Sequence, residues 1–170
     1  MMRAFLALAA AACTLLTPQR AKAQYTFTKH DARVGYPRWS GCFSNVTVGG
    51  PQRLAVDWAY GFESRLPGAR ATSEAVQCTW ASARVGLGAG SLGLGYNRYP
   101  GALGTMWFGQ LAVLRTFDKP NGGTPNATYV GVEGGGAYLA GISPRVGYFV
   151  RTGGGSAPRG LFTWGVGFGF

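Results

Sequence analysis

Few residues in this sequence have side chains that could catalyse a reaction or bind a metal ion. The chain contains one histidine, His30, which lies between Lys29 and Asp31. No G-x-S-x-G nucleophile motif, no closely spaced pair of histidines and no Cys-x-x-Cys motif is present. A general base at His30 would precede every segment that has a regular strand pattern. We therefore expect no enzymatic activity, no metal site and no bound cofactor.

The other charged residues of interest lie in segments in which every second residue is large and apolar. In residues 54–62 every even position is large and apolar, whereas the odd positions are Ala55, Asp57, Ala59 and Gly61. Successive side chains of a strand point to opposite faces, so Asp57 belongs to the face opposite the apolar one. The same assignment applies to five further residues: Glu63, Arg84, Glu133, Arg145 and Arg151.

These charged residues on the less apolar faces allow two interpretations. They could line a water-filled pore, or they could form an ionic and hydrogen-bonded network that fills the interior of a narrow barrel. Charges removed from water must be paired, and three acids can pair with three arginines. We expect a structural network that plugs the lumen, with a narrow solute channel as the alternative.

The last ten residues, 161–170, carry the clearest strand pattern in the chain. Large apolar residues occupy every even position: Phe162, Trp164, Val166, Phe168 and Phe170. Thr163 and glycines occupy most of the odd positions, so the strand has no charged face to present to water. The pattern indicates that the large residues face lipid while the glycines line a narrow lumen.

This closing segment resembles the C-terminal strand of small bacterial outer-membrane β-barrel proteins. In that family a terminal strand with alternating aromatics and a final Phe is recognised by the barrel-assembly machinery. The resemblance extends from about residue 41 to the end of the chain. It implies an all-β fold, a single antiparallel up-and-down transmembrane barrel of about eight strands in the bacterial outer membrane. It also implies contact with outer-membrane lipid and lipopolysaccharide, and a structural or surface-interaction role.

The start of the chain predicts export. A basic residue, Arg3, precedes an apolar run at residues 4–16, and Ala21-Lys-Ala23 fits a small-x-small cleavage site. The apolar run is too short to cross about 30 Å of hydrocarbon as a helix. We therefore expect a cleaved signal peptide at 1–23, an N-terminal extension at 24–40 and the barrel at 41–170. Acylation at Cys13 is a weaker alternative.

Composition supports this division. Aromatic residues make up 14% of the chain and charged residues only 13%, which is a low charge content for a water-soluble surface. Residues 1–23 hold three of the 16 basic residues and no acid, so the rest of the chain has a net charge of 13 − 6 = +7. Because no nucleic-acid-binding motif accompanies this charge, we expect no nucleic-acid partner. Arginines at strand ends could instead meet lipid phosphates.

Two cysteines, Cys42 and Cys78, remain after the predicted cleavage site. An oxidising periplasm would permit a disulfide bond between them. If both lie in strands separated by a third strand, their backbones would be about 10 Å apart, which is too far to bridge. They could pair if both lie in turns, so the sequence leaves the bond open.

Seven further strands are predicted before the closing one, at residues 42–48, 54–62, 76–87, 92–99, 105–117, 128–138 and 145–151. A four-residue turn at 88–91 would place Val85 and Leu87 opposite Leu92 and Leu94. Ser143-Pro144 is predicted to form a turn. The facing of 105–117 stays open, because either its odd or its even residues could point outward.

Any binding site would lie on the loops at 118–126 and 152–160, since loops are what a rigid barrel presents, but nothing in them identifies a partner. The competing class is a soluble exported barrel that binds a small apolar ligand, as lipocalins do. Such a barrel would need its large residues inside and polar ones outside, whereas the faces opposite the large residues are mostly Gly and Ala.

Overall fold

The structure, a computed structural model, describes residues 38–65, 75–99, 106–138, 141–153 and 158–169. These residues form eight antiparallel strands that close a barrel in chain order, as expected for the fold. The strands are β1 Arg38–Gly50, β2 Arg53–Arg65, β3 Val76–Gly86, β4 Ala89–Tyr99, β5 Met106–Thr116, β6 Thr128–Ala137, β7 Ile142–Arg151 and β8 Gly160–Gly169.

Contacts divide the chain into two units, Met1–Gly35 and Tyr36–Phe170, of which the second contains the barrel. The predicted signal peptide at 1–23 and Phe170 of the closing strand lie outside the described residues. β1 begins at Arg38, three residues before the expected start of the barrel at 41. No helix among the described residues is long and apolar enough to cross a membrane.

The strand register gives the tilt of the barrel. Following paired residues once around the barrel from Ile142 returns to β7 at Thr152, a shift of 152 − 142 = 10 residues. With a rise of about 3.3 Å per residue and a strand spacing of about 4.8 Å, this shift over eight strands tilts them by about 41°. An 11-residue strand such as β3 then spans about 27 Å along the barrel axis.

Large apolar side chains cover the outside of the barrel. The 26 exposed large apolar residues in the described part of the chain have between 39% and 69% of their surface accessible. The facing of β5, left open by the sequence, is settled because Trp107, Leu111 and Val113 point outward. Phe108 and Leu114 of the same strand are 8% and 0% exposed and point inward.

The connections fall into two groups at opposite ends of the barrel. At one end, here the terminal end, β1, β3, β5 and β7 begin and β2, β4, β6 and β8 end. The other end, here the loop end, has two short turns at 51–52 and 87–88 and two longer connections at 117–127 and 152–159. The described residues of both loops that we expected to present binding surfaces, 118–126 and 152–160, therefore lie at the loop end.

The predicted turn between β3 and β4 was misplaced. The turn between the two strands consists of Leu87 and Gly88. Val85 pairs with Gly90, whereas the predicted turn would have placed Leu87 opposite Leu92. The N–H groups of the two turn residues donate to Leu54 O and Gln52 O, at 3.1 Å each, so the neighbouring β1–β2 connection fixes the turn. The observed register differs from the predicted one by an even number of residues, which keeps every side chain on its predicted face.

The turn predicted at Ser143-Pro144 was also wrong. Both residues belong to β7, and the preceding connection closes earlier, where Gly141 N–H donates to Tyr138 O at 2.8 Å. The β6–β7 ladder ends at the pair Gly135–Arg145. Pro144 lies just beyond that ladder and pairs only with β8, so the missing N–H of proline costs the sheet no hydrogen bond on the β6 side.

Candidate functional site: the barrel interior

A cluster of buried charges occupies the middle of the barrel interior. Arg84 of β3 donates from Nη1 and Nη2 to the two oxygens of Glu133 on β6, at 2.9 and 2.6 Å. Its Nε donates to Asp57 Oδ2 of β2 at 3.1 Å. Arg145 of β7 lies on the other side, with Nη1 2.7 Å from Asp57 Oδ2 and 3.5 Å from Glu133 Oε1. Two carboxylates and two guanidinium groups therefore form one compact cluster with no net charge.

Neutral polar side chains extend the cluster to further strands. Gln110 of β5 donates from Nε2 to Glu133 Oε1 at 2.9 Å and accepts from Ser82 Oγ at 2.8 Å. Thr47 of β1 donates to Asp57 Oδ2 at 3.0 Å. Hydrogen bonds and ion pairs thus join side chains from β1, β2, β3, β5, β6 and β7 across the lumen.

The four charged residues are 1–5% exposed, so the cluster is cut off from bulk water. Such charges are tolerated only when they are paired and hydrogen-bonded, because each lone charge carries a large desolvation penalty. The fork of Arg84 is suited to this, since a guanidinium matches a carboxylate with two parallel N–H donors. The arrangement provides electrostatic cross-links between opposite walls and no accessible group for catalysis.

An apolar layer closes the interior on the loop-end side of the charges. It consists of Ala89, Ala112, Leu114, Ala127, Tyr129, Phe149 and Leu161, all less than 9% exposed. The 117–127 connection covers this layer, and its Thr124 N–H donates to Tyr129 Oη at 2.9 Å. The same connection reaches both short turns, because Asn121 N–H donates to Pro51 O and Phe117 N–H donates to Gly88 O. The lumen is therefore covered at this end.

A second apolar layer lies on the terminal-end side of the charges. Trp80 and Phe108 pack with ring centroids 6.4 Å apart, next to Ala59 and Cys78. The guanidinium carbon of Arg145 lies 5.9 Å from the centre of the Phe108 ring, which places a cation over its π face. The charged cluster is thus enclosed between two apolar layers.

Cys42 and Cys78 form a disulfide bond, although they lie on β1 and β3 with β2 between them. Their Cα atoms are 6.6 Å apart, so the expected separation of about 10 Å for this arrangement was wrong. The register of β1 shifts between Gly41 and Phe43, which marks a bulge at Cys42. A bulge bends its strand and redirects a side chain, which brings Cys42 close enough to bond.

Four of the residues expected to form the network come together: Asp57, Arg84, Glu133 and Arg145. Arg151 does not join them, because it lies six residues beyond Arg145 on β7 and pairs in the sheet with Tyr129. Glu63 is buried in the sheet opposite Cys78, away from the cluster. Gln110, the one polar inward residue in the middle of β5, could not be predicted, because the sequence did not show which face of that strand points inward.

The closing strand has the orientation that its alternation predicts. Phe162, Trp164 and Phe168 are 63%, 50% and 55% exposed on the outside, and Val166 is half-buried. Thr163 is 1% exposed inside the barrel. The described residues contain no group of three or more His, Cys, Asp or Glu side chains that could hold a metal ion.

No protein-family model matches this sequence, and no curated protein or solved structure is significantly similar to it.

We predict that Arg84→Met destabilises the barrel by about 3–5 kcal/mol, because Asp57 and Glu133 would then share a single buried cation. The measurement is the urea midpoint of the purified, folded protein. Adding Glu133→Gln to the same chain restores charge balance and should recover part of the loss. Arg98→Met, at an exposed outward arginine, is the matched control. Equal midpoints for Arg84→Met and Arg98→Met would contradict a structural role of the cluster.

We predict that replacing both Cys42 and Cys78 by Ser lowers stability by about 4 kcal/mol. The bond closes a loop of 36 residues, and the chain-entropy relation for that length gives this value. Urea unfolding of the oxidised, reduced and double-Ser proteins measures the effect. Reduced and double-Ser proteins should unfold together. In a Cys13→Ser background, a reagent for free thiols should label the denatured protein only after reduction. Labelling without reduction would show that the bond is absent.

Proposed function

We propose that this chain is an integral outer-membrane β-barrel protein with a structural or surface-interaction role and a plugged, non-conducting lumen. The proposal includes export by a signal peptide at 1–23 and membrane insertion by the barrel-assembly machinery through the closing strand. The observation that carries it is the apolar outer surface. Large apolar side chains, 39–69% exposed, surround the whole circumference, whereas the carboxylates of the described strands are buried inside.

The outer surface is far more apolar than that of a monomer in water. Soluble monomers rarely expose a contiguous apolar patch of more than a few hundred Å². Of the acids in the described residues, Asp57, Glu63 and Glu133 are buried and Asp118 lies in the 117–127 connection, so the described outward strand faces have no carboxylate. A lipid environment removes this surface from water, and a closed barrel leaves no strand edge unpaired in that environment.

The dimensions of the barrel fit a bilayer. Strands tilted by about 41° span about 27 Å, and the apolar band of a membrane barrel is about 25 Å tall. Aromatic side chains form a belt near the terminal end, where Trp39 stacks on Tyr60 at 6.1 Å and Trp107 contacts Tyr138 edge to face at 6.5 Å. Such residues favour the membrane–water interface because their rings are apolar and their N–H or O–H groups are polar.

In the described part of the chain, most of the exposed positive charge lies at the loop end. Among the described residues this end presents Arg53, Arg115, Lys119 and Arg159, all exposed, and one exposed acid, Asp118. Asp118 accepts a hydrogen bond from Asn126 Nδ2 at 2.8 Å within the 117–127 connection. A basic rim next to an apolar belt suits phosphate groups, which supports contact with lipopolysaccharide at this end. The 117–127 and 152–159 connections would then face the cell exterior and carry any interaction with a partner.

The contents of the interior weigh against the two alternative functions. A ligand-binding barrel needs an apolar cavity, but Trp80, Phe108, Leu114, Tyr129 and Phe149 fill the corresponding space. A solute channel needs a continuous polar path, but apolar layers lie on both sides of the charges. Eight-stranded barrels have an interior that side chains just fill, in keeping with a plugged lumen.

Cell fractionation followed by gel electrophoresis tests membrane embedding. We expect the protein in the outer-membrane fraction, soluble only with detergent, with a mobility in SDS that changes after boiling. The shift should be measured on oxidised and on fully reduced protein, since the disulfide alone affects mobility. A protein that remains in the periplasmic supernatant without detergent, and shows no heat-dependent shift, would overturn the proposal.

Planar-bilayer recording tests the plugged lumen. We expect no conductance above background after insertion of the purified barrel, because ions would have to cross two apolar layers and a neutral cluster. A general porin inserted under the same conditions is the positive control, and proteolytic protection in vesicles confirms that the barrel has inserted. Stable single-channel steps would contradict the plug and favour the narrow-channel alternative.

A further inference from the structure

A groove lies on the outside of strands β1 to β6. It has a volume of about 670 Å³, within the range of roughly 300–1,000 Å³ that is usual for small-molecule sites. Its walls are large side chains, Tyr60 and Tyr96 towards the terminal end and Leu94, Leu111 and Val132 towards the loop end.

The floor of the groove is formed by residues with little or no side chain. Ala81 of β3 and Gly109 of β5 point outward at this level, and Gly95 of β4 lies between them in the sheet. A Cβ atom added to Gly109 would meet nothing within 4 Å, so the space above it is open. Through the wall, the Trp80 ring fills the inner side of Gly95. The groove is therefore a depression backed by the packed interior.

A polar and positively charged region adjoins the groove at its terminal end. Tyr96, a wall residue, donates its hydroxyl to Gln77 Oε1 at 2.9 Å. Arg98 follows two residues later on the same outward face of β4, about 7 Å further along the strand. Arg98 is exposed, and no carboxylate in the described part of the chain pairs with it. The apolar groove thus leads to Arg98, an exposed cation that no described carboxylate pairs with, at the level of the aromatic belt.

We propose that this groove, defined by Tyr60, Ala81, Tyr96, Gly109 and Leu111, holds one acyl chain of a phospholipid whose phosphate binds Arg98. The inference rests on the proposed membrane location and goes beyond it by assigning a specific lipid site. The apolar groove matches the acyl chain of a phospholipid, and Arg98 at its end matches the negative charge of the phosphate. A second copy of the chain fits less well, because the outward strand faces that are described carry no carboxylate to meet Arg98.

The test uses native mass spectrometry of the folded barrel in detergent, titrated with phosphatidylglycerol. Gly109→Leu places a side chain in the open space and should abolish retention of one tightly bound lipid. Arg98→Gln should weaken binding about tenfold, the effect of losing a charge-assisted hydrogen bond. Val113→Leu on the same face of β5 and Arg115→Gln at the loop end are the size and charge controls, and both should bind as the native protein does.

Folding is monitored separately by the heat-dependent shift in mobility. If Gly109→Leu fails to fold, Ala81→Leu fills the same groove from β3 and should also abolish lipid retention. Equal lipid binding by the native protein and a folded groove variant would overturn the site while leaving the membrane location intact. Chemical cross-linking of the native protein and of Gly109→Leu tests for a second copy, and a dimer that Gly109→Leu loses while it keeps its bound lipid would overturn the lipid site in favour of that copy. A soluble protein with no heat-dependent shift would overturn the proposed function and the site together.

Discussion

Arg84 contacts two carboxylates from different walls of the barrel, and the organisation of the interior depends on that contact. Asp57 lies on the neighbouring strand β2, but Glu133 lies 49 residues further along the chain on β6. The contact with Glu133 can therefore form only when the sheet has curled round on itself. Because Arg145 then balances the second negative charge, the closed state is the one in which all four charges are neutralised together. The cluster thus favours closure over any open arrangement of the same strands.

The two apolar layers explain why the four charges of the cluster must be paired with one another. Leu114, Tyr129 and Phe149 on one side and Trp80 and Phe108 on the other exclude water from the charges. Low polarity strengthens the attraction between paired charges and raises the penalty for a missing partner. The charged cluster is thus enclosed between two apolar layers, while the described outer strand faces are mainly apolar and the described residues of the loop end are basic. This distribution gives each charge of the cluster a counter-ion.

Alternation of side chains made the fold predictable from the sequence, and also set the limit of the prediction. The even-numbered apolar residues of 54–62 and 161–170 indicated both the strands and their outward faces. Alternation has a period of two, however, so it cannot distinguish registers that differ by an even number, and the β3–β4 turn was misplaced for that reason. Where both faces of a strand carry large residues, as in β5, alternation gives no facing, and Gln110 was missed as a consequence.

The charged cluster was predictable as a set of inward residues but not as a set of contacts. Asp57, Arg84, Glu133 and Arg145 share a face by strand parity, and so do Glu63 and Arg151. Which of them meet depends on the stagger of ten residues around the barrel, a property of the closed sheet rather than of any one strand. The disulfide bond was unpredictable for a related reason, because the bulge at Cys42 is a local departure from regular pairing.

The interior packing also shapes the outer surface, through the glycines of the wall. Trp80 occupies the inner side of Gly95 so closely that a Cβ atom there would collide with its ring. A residue with a side chain at 95 would therefore displace the Trp80 ring. Because Trp80 requires a glycine at this position, the wall of the barrel is thin beneath the groove. Gln110 also belongs to both regions, because its side chain binds Glu133 inside the barrel and the residue is part of the lining of the groove outside. The contents of the lumen and the shape of the outer groove are consequently not independent. A change in the size of residue 80 would alter both, whereas a change at Gly109, which has open space above it, would alter the groove alone.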